Sequence, residues 1–147
     1  MNYRHAFHAG NHGDVLKHVN LTRIFEHMKL KDKGFAFVDA HAGAGTYDLM
    51  GVEAAKTFEW QGGVGKMQAP FAPDIEALLA PYRSVLGQVN PRGGLRYYPG
   101  SPQLALQLLR KQDRLVLNEL HPETKTLVEH QFKPDKRVRV LGLDATE

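Results

Sequence analysis

Asp39-Ala40-His41-Ala42-Gly43-Ala44-Gly45 places an imidazole and a Gly-x-Gly turn directly after the apolar run Phe35-Ala36-Phe37-Val38, and two later apolar runs lead to acids, Glu119 and Asp144. Glycine carries no side chain and takes φ > 0 freely, so a turn holding Gly43 and Gly45 lets backbone come close to a ligand. At the carboxyl end of a parallel strand, that is where a nucleotide-like cofactor sits. A carboxylate at a neighbouring strand end accepts hydrogen bonds from ribose hydroxyls, which suits Glu119. Asp144 suits the exocyclic amine of an adenine ring. Taken alone, the Gly-x-Gly is equally readable as a tight strand-to-helix turn with no ligand. The joint placement of three strand ends on one crevice is the stronger sign.

These groups meet only if the chain between them folds in the right order. From residue 14 to 31 the apolar positions Leu16, Val19, Leu21, Ile24, Phe25 and Met28 approximate helical spacing, with Asp14 as N-cap and Gly34 as the stop. Residues 35–39 read as a buried strand. Pro73 opens a second long helix with Ile75, Leu78, Leu79, Tyr82, Val85, Leu86 and Val89 on its inner face, and Asn90-Pro91-Arg92-Gly93-Gly94 ends it. Tyr97-Tyr98-Pro99-Gly100 is expected to be a rigid turn that delivers Ser101 as the N-cap of a further helix, with Pro102 at its first position. Leu104, Ala105, Leu108 and Leu109 mark that helix's inner face. Residues 114–120 and 138–144 read as strands that each close on an acid, with a helix over residues 122–132 between them.

Helix, strand, insertion, helix, strand, helix, strand is the order of a doubly wound α/β sheet. In such folds the ribose-binding acid follows the glycine loop by about 20 residues. Glu119 comes much later, and a helical piece looped out of the sheet accounts for the delay. The expected organisation is therefore a Rossmann-like cofactor domain of residues 1–45 and 96–147, with an inserted helical subdomain over residues 46–95.

The composition narrows the possibilities. With 42% hydrophobic and 24% charged residues the 147-residue chain is a globular domain, not a disordered tail. There is no cysteine, which removes disulfides, thiolate zinc sites and cysteine nucleophiles together and fits a reducing compartment. Met1-Asn2-Tyr3-Arg4-His5 has no apolar run of the signal-peptide kind, and no stretch approaches the length needed to span a bilayer, so a cytoplasmic location without membrane contact is expected. A net charge of +3 permits an anionic partner without requiring one. His5, His8 and His12 have the spacing of a zinc site on a helix, but Ala9-Gly10-Asn11 is poor helix sequence; a mobile flap of aromatic, cationic and imidazole groups that closes over a ligand is the preferred reading, with no metal. Lys17 reads either as a solvated helix charge or as a cation steering an anion.

Four segments together carry a family resemblance: Tyr3-Arg4-His5-Ala6-Phe7-His8-Ala9-Gly10-Asn11-His12-Gly13-Asp14-Val15-Leu16-Lys17-His18, the run 39–45, Arg96-Tyr97-Tyr98-Pro99-Gly100-Ser101-Pro102, and Glu119-Leu120-His121-Pro122. They resemble, in the same order, the bacterial 23S ribosomal RNA adenine-N6 methyltransferases of the RlmJ type. The resemblance implies a class I, Rossmann-like methyltransferase fold that uses S-adenosyl-L-methionine and acts on 23S ribosomal RNA, monomeric when full length. Carried over position by position, it implies cofactor contacts at His18, His41, Ser101, Glu119, Asp144 and Ala145, and an RNA contact at Tyr3. Ala145 stands where the family tends to have glycine.

Enzymes of this kind carry Asp-Pro-Pro-Tyr at the end of a fourth strand, and no Asp-Pro occurs in this sequence. The expectation is an N-terminal part of a longer protein, with the catalytic aspartate beyond Glu147 and the first strand left as an uncovered edge. Two other classes compete. A nicotinamide-dependent oxidoreductase prefers a fuller Gly-x-Gly-x-x-Gly, whereas Gly45 is followed by Thr46-Tyr47-Asp48. A non-catalytic RNA-binding module fits the basic balance.

Overall fold

The computed structural model describes residues 4–146, whose elements run α1 (His12–Met28), β1 (Ala36–Asp39), β2 (Thr46–Asp48), α2 (Ala54–Thr57), α3 (Pro73–Val89), β3 (Tyr97–Pro99), α4 (Ser101–Leu108), β4 (Arg114–Asn118), α5 (Pro122–Phe132) and β5 (Val138–Leu141). The result is a mixed α/β fold with a small parallel sheet. Its chain divides into two units, one made of Phe25–Gly45 and Gly100–Glu147, the other of Met1–Ile24 and Thr46–Pro99.

In the first of these units β4 lies between β1 and β5, parallel to both. The register sets Phe37 beside Leu115 and Leu115 beside Val138, so these side chains and those two residues further along share one face of the sheet. Leu115 and Leu117 are fully buried there, together with Leu104 and Ala105 of α4 and Val128 and Phe132 of α5. Each of these leucine, valine and phenylalanine side chains contributes roughly 1.5–3 kcal/mol. Phe25 packs on Phe35 and Phe37 with ring centroids 6.2 and 5.1 Å apart. The opposite face is bare by comparison: Val38 is 62% exposed, and β1 alternates between exposed and half-buried positions. Among the described residues β1 also has no partner along its outer edge.

Two arginine–aspartate pairs pin the amino-terminal rim of this sheet. Asp113 is buried and accepts from the Phe35 and Arg110 amides and from the Arg110 guanidinium, which together hold its carboxyl below the usual range despite burial. Arg110 also gathers the carbonyls of Lys29, Lys31 and Lys33, while Arg137, paired with Asp135, donates to those of Leu106 and Leu109 at the end of α4. Gly34 is required here by contact and not as a helix stop: α1 ends at Met28, and a Cβ on Gly34 would lie 2.2 Å from the Gln112 carbonyl oxygen.

In the other unit β2 pairs antiparallel with β3, so Tyr97-Tyr98-Pro99 is a strand and not the rigid turn its prolines suggest. α3 has the expected bounds, but its buried side chains are Tyr82 and Val85, whereas Ile75 and Leu78 are exposed. Buried Asn90 ties the end of α3 to β3. Its amide donates to the carbonyls of Leu86 and Tyr97, and its oxygen accepts from the Arg96 and Tyr97 amides. α1 corrects the expected apolar stripe. Leu16, Ile24 and Met28 are exposed, and the buried line is Asp14, His18, Thr22 and Phe25. Asp14 is not the N-cap: Asn11 accepts the Asp14 amide, and the Asp14 carboxylate is turned inward.

Candidate functional site

The parallel register brings the carboxyl ends of β1, β4 and β5 to one rim of the sheet, because Asp39 is level with Leu117 and Asn118 with Leu141. Glu119 and Asp144 lie beyond the strands that were expected to end on them, one residue past β4 and three past β5. Glu119 nevertheless reaches the glycine turn. One carboxylate oxygen accepts the Gly43 amide at 2.8 Å and the other accepts the His121 amide at 2.9 Å. Each oxygen keeps lone-pair capacity for hydroxyl donors.

Gly43 and Gly45 serve different ends. Gly43 sits at φ +66°, where a side chain is strained; Gly45 is not in that region. A Cβ on Gly45 would lie 2.4 Å from the Phe132 ring, so Gly45 yields space to α5 and not to a ligand. Gly43→Ala is expected to cost about 1–2 kcal/mol of unfolding free energy, read by urea titration, because the left-handed conformation is kept at that price by the Glu119 contact.

His41 is exposed on the same rim, its amide 3.2 Å from an Asp39 carboxylate oxygen. The other Asp39 oxygen accepts a hydrogen bond from the Ser101 hydroxyl. Ser101 is therefore the first residue of α4, after Gly100, and not its N-cap. Ser101 donates to a carboxylate and not to a histidine. Asp144 and Ala145 are exposed; the Thr146 amide and hydroxyl bond to Asp144 and hold its carboxyl below the usual range, with His41 adding a smaller pull.

Two residues that the sequence reading passed over frame this rim. Asp39 joins the glycine turn to α4, as just described. Asn118 is buried and donates to the carbonyls of Ala40 and Leu143 while accepting the Leu143 amide, which ties three strand ends together. Their signal was available: a polar side chain at the last position of each of two apolar strands.

His18 belongs to the other unit. It is buried, with Nδ1 2.7 Å from the Tyr98 hydroxyl oxygen, and burial pushes its pKa down to about 3, so the ring is neutral. Asp14, one turn earlier, is bonded to His5 and to the Gly10 amide and ion-paired with Lys17. Burial alone would raise its pKa, but the His5 bond and the neighbouring positive charge outweigh burial and hold it at about 2. His8 and Asn11 bond instead to Glu59. His5 and His8 thus turn to different acids, and among the described residues no three metal-ligating side chains converge. Tyr3 lies outside the described residues.

The family model described as ribosomal RNA large subunit methyltransferase D, RlmJ, matches residues 32–146. A curated Escherichia coli protein named ribosomal RNA large subunit methyltransferase J is 47% identical over 144 residues, which is 98% of this chain and 51% of that protein. A Haemophilus influenzae protein of the same name is 45% identical over 141 residues, 95% of this chain and 50% of its own. A crystal structure of a Legionella pneumophila protein superimposes with a TM-score of 0.77 at 36% identity, over 93% of this chain and 49% of that one. The chain spans about half the length of the curated relatives it matches.

Proposed function

This chain belongs to the RlmJ family of ribosomal RNA large subunit methyltransferases, and we propose that the whole protein methylates the N6 amine of one adenine in 23S ribosomal RNA with S-adenosyl-L-methionine. The parallel sheet is read as part of a class I, Rossmann-like domain, with residues 46–95 inserted in it. The observation that carries this reading is the Glu119 carboxylate seated against the Gly43 amide, at a rim that also holds His41, Ser101 and Asp144.

The donor set fits the cofactor. Glu119 holds the ribose hydroxyls with the lone pairs its two amide contacts leave. Asp144 takes the exocyclic amine of the cofactor's adenine, and the Ala145 amide serves the same ring. His41 and Ser101 line the turn, and Asp39 fixes Ser101. His18 serves the methionine part, and Tyr3 the RNA. When bound, the cofactor supplies a methyl group on a sulfonium: the S–CH3 bond breaks as the N6–CH3 bond forms, sulfur keeps the electron pair, and N6 releases a proton. This chain's residues bind and orient, an effect able to supply several kcal/mol of the barrier reduction. A cytoplasmic location goes with an rRNA substrate, and no helix among the described residues is long and apolar enough to cross a membrane.

Calorimetry on the full-length protein tests the assignment. Micromolar binding of S-adenosylhomocysteine with no binding of NAD is expected. Preference for NAD overturns it in favour of an oxidoreductase, and RNA binding with neither nucleotide points to a non-catalytic module. Transfer of a labelled methyl group to 23S RNA then identifies the substrate.

A further inference from the structure

Lys111-Gln112-Asp113-Arg114 leads into β4 and Asp135-Lys136-Arg137 leads into β5, each combining one acid with a lysine and an arginine. Because β4 and β5 are parallel neighbours, both segments come to the amino-terminal rim of the sheet, where the Leu115 amide donates to the Arg137 carbonyl at 2.9 Å. A hollow of about 390 Å³ lies there, lined by Lys111, Arg114, Lys136 and Arg137.

Both acids of these segments are already paired, Asp113 with Arg110 and Asp135 with Arg137. Lys111, Arg114 and Lys136 are exposed, and among the described residues none of them is in an ion pair. Three uncompensated positive charges thus share one hollow, and their mutual repulsion is relieved by an anion. Arg114 is also set to receive one. Its Nη1 donates to the carbonyls of Lys111 and Asp113 at 3.1 and 2.9 Å, which fixes the plane of the guanidinium. The Nε and Nη2 edge has no acceptor among the described residues. Those two parallel N–H groups form the fork that grips two oxygens of a phosphate. Arg137 differs, since its guanidinium is taken up by Asp135 and by the carbonyls of Leu106 and Leu109; it is a wall of the hollow and not a contact.

We propose that this hollow is a second RNA contact, in which Lys111, Arg114 and Lys136 hold backbone phosphates of the substrate RNA away from the reacting base. The inference rests on the function proposed above and adds a site to it. No aromatic ring lines the hollow, so there is nothing for a base to stack on, and what is recognised is charge and not sequence. The five residues of β4 separate this rim from the Glu119 end of the same sheet by about 15 Å. The phosphates held here therefore belong to nucleotides flanking the target, and the site sets affinity and register while taking no part in methyl transfer.

Fluorescence anisotropy of a labelled 23S RNA fragment with the full-length protein, repeated over a range of potassium chloride concentrations, tests the site. Replacing Lys111, Arg114 and Lys136 together by Gln is expected to weaken binding about 10- to 100-fold at low salt and to flatten the log K against log salt slope by about 2–3. Lys111→Gln with Lys136→Gln, which touches no hydrogen bond of the fold, is expected to flatten it by about 1–2. Arg114→Lys keeps the charge and loses the fork, so affinity falls about threefold at an unchanged slope. All three variants are expected to raise KM for RNA while keeping kcat at saturating RNA, the affinity for S-adenosylhomocysteine and the melting temperature. An unaltered slope in the triple variant overturns the site, as does a triple variant that loses S-adenosylhomocysteine along with RNA. Binding of poly-L-glutamate that the triple substitution weakens as much as it weakens RNA overturns RNA in favour of an acidic protein. RNA binding that depends on these three cations, in a protein that binds no S-adenosylhomocysteine, sustains the site and overturns the methyltransferase reading.

Discussion

Lowering the pH from 7 to 5 is expected to remove about 2 kcal/mol of unfolding free energy through His18 alone. The imidazole titrates near 6.5 in the unfolded chain and at about 3 in the folded one, where burial disfavours its charge and the attraction of Asp14 offsets only part of the penalty. Between those values the unfolded state binds the proton and the native state refuses it. The loss is therefore small above pH 6.5 and grows with decreasing pH at about 1.4 kcal/mol per unit, to roughly 4 kcal/mol near pH 3. Asp14, held at about 2, begins to lose its own contribution only near pH 4 and so does not enter the upper window. Urea titrations at pH 7 and pH 5 on wild type and His18→Asn check this. The variant is less stable at pH 7, yet loses about 2 kcal/mol less on acidification. Equal losses in the two proteins would mean that His18 takes up its proton while still folded.

Glu119→Gln is expected to weaken S-adenosylhomocysteine about 10- to 100-fold in the full-length protein, the scale of hydrogen bonds to a charged group. Two features of the rim set this expectation. The carboxylate has two oxygens, each already turned by a backbone amide, so its remaining lone pairs are fixed in direction before a ligand arrives. Glutamine replaces one of these acceptors with an NH2 group, which meets the amide of Gly43 or of His121 donor to donor. Calorimetry measures the affinity, and a thermal melt shows whether the turn survives. A loss below threefold would remove Glu119 from the ribose.

Elements with a strong local signal were legible in the sequence. α3 and α5 have the expected bounds because Pro73 and Pro122 open them and apolar spacing persists to their ends. The three parallel strands were readable as apolar runs, although their ends were placed too late at Leu120 and Asp144, since composition continues past the last ladder bond. The pairing of β2 with β3 was hidden: three residues a side, one of them Pro99, offer no alternation to read. α1 misled for a different reason. Its buried line is polar, and its apolar residues at Leu16, Ile24 and Met28 face outward, so hydrophobic periodicity points to the wrong side. Glu119 against Gly43 was foreseeable from strand order alone. Asp39 and Asn118 were visible only as polar side chains closing two apolar strands; what they hold, the Ser101 hydroxyl and the carbonyls of Ala40 and Leu143, needed coordinates.

The unpaired flank of β1 and the bare side of its sheet have a consequence for biosynthesis. In a protein as long as the matched relatives, the segment seen here is about half of the polypeptide. At roughly 5–20 residues per second, the remainder takes on the order of ten seconds or more to leave the ribosome. For that interval a strand with free amides, and with Val38 open to water, stands ready to dock on any neighbour emerging from the same polysome. In a protein of that length the nascent chain is expected to be screened by a holding factor, or spaced by slow initiation, until the rest of the polypeptide covers this edge.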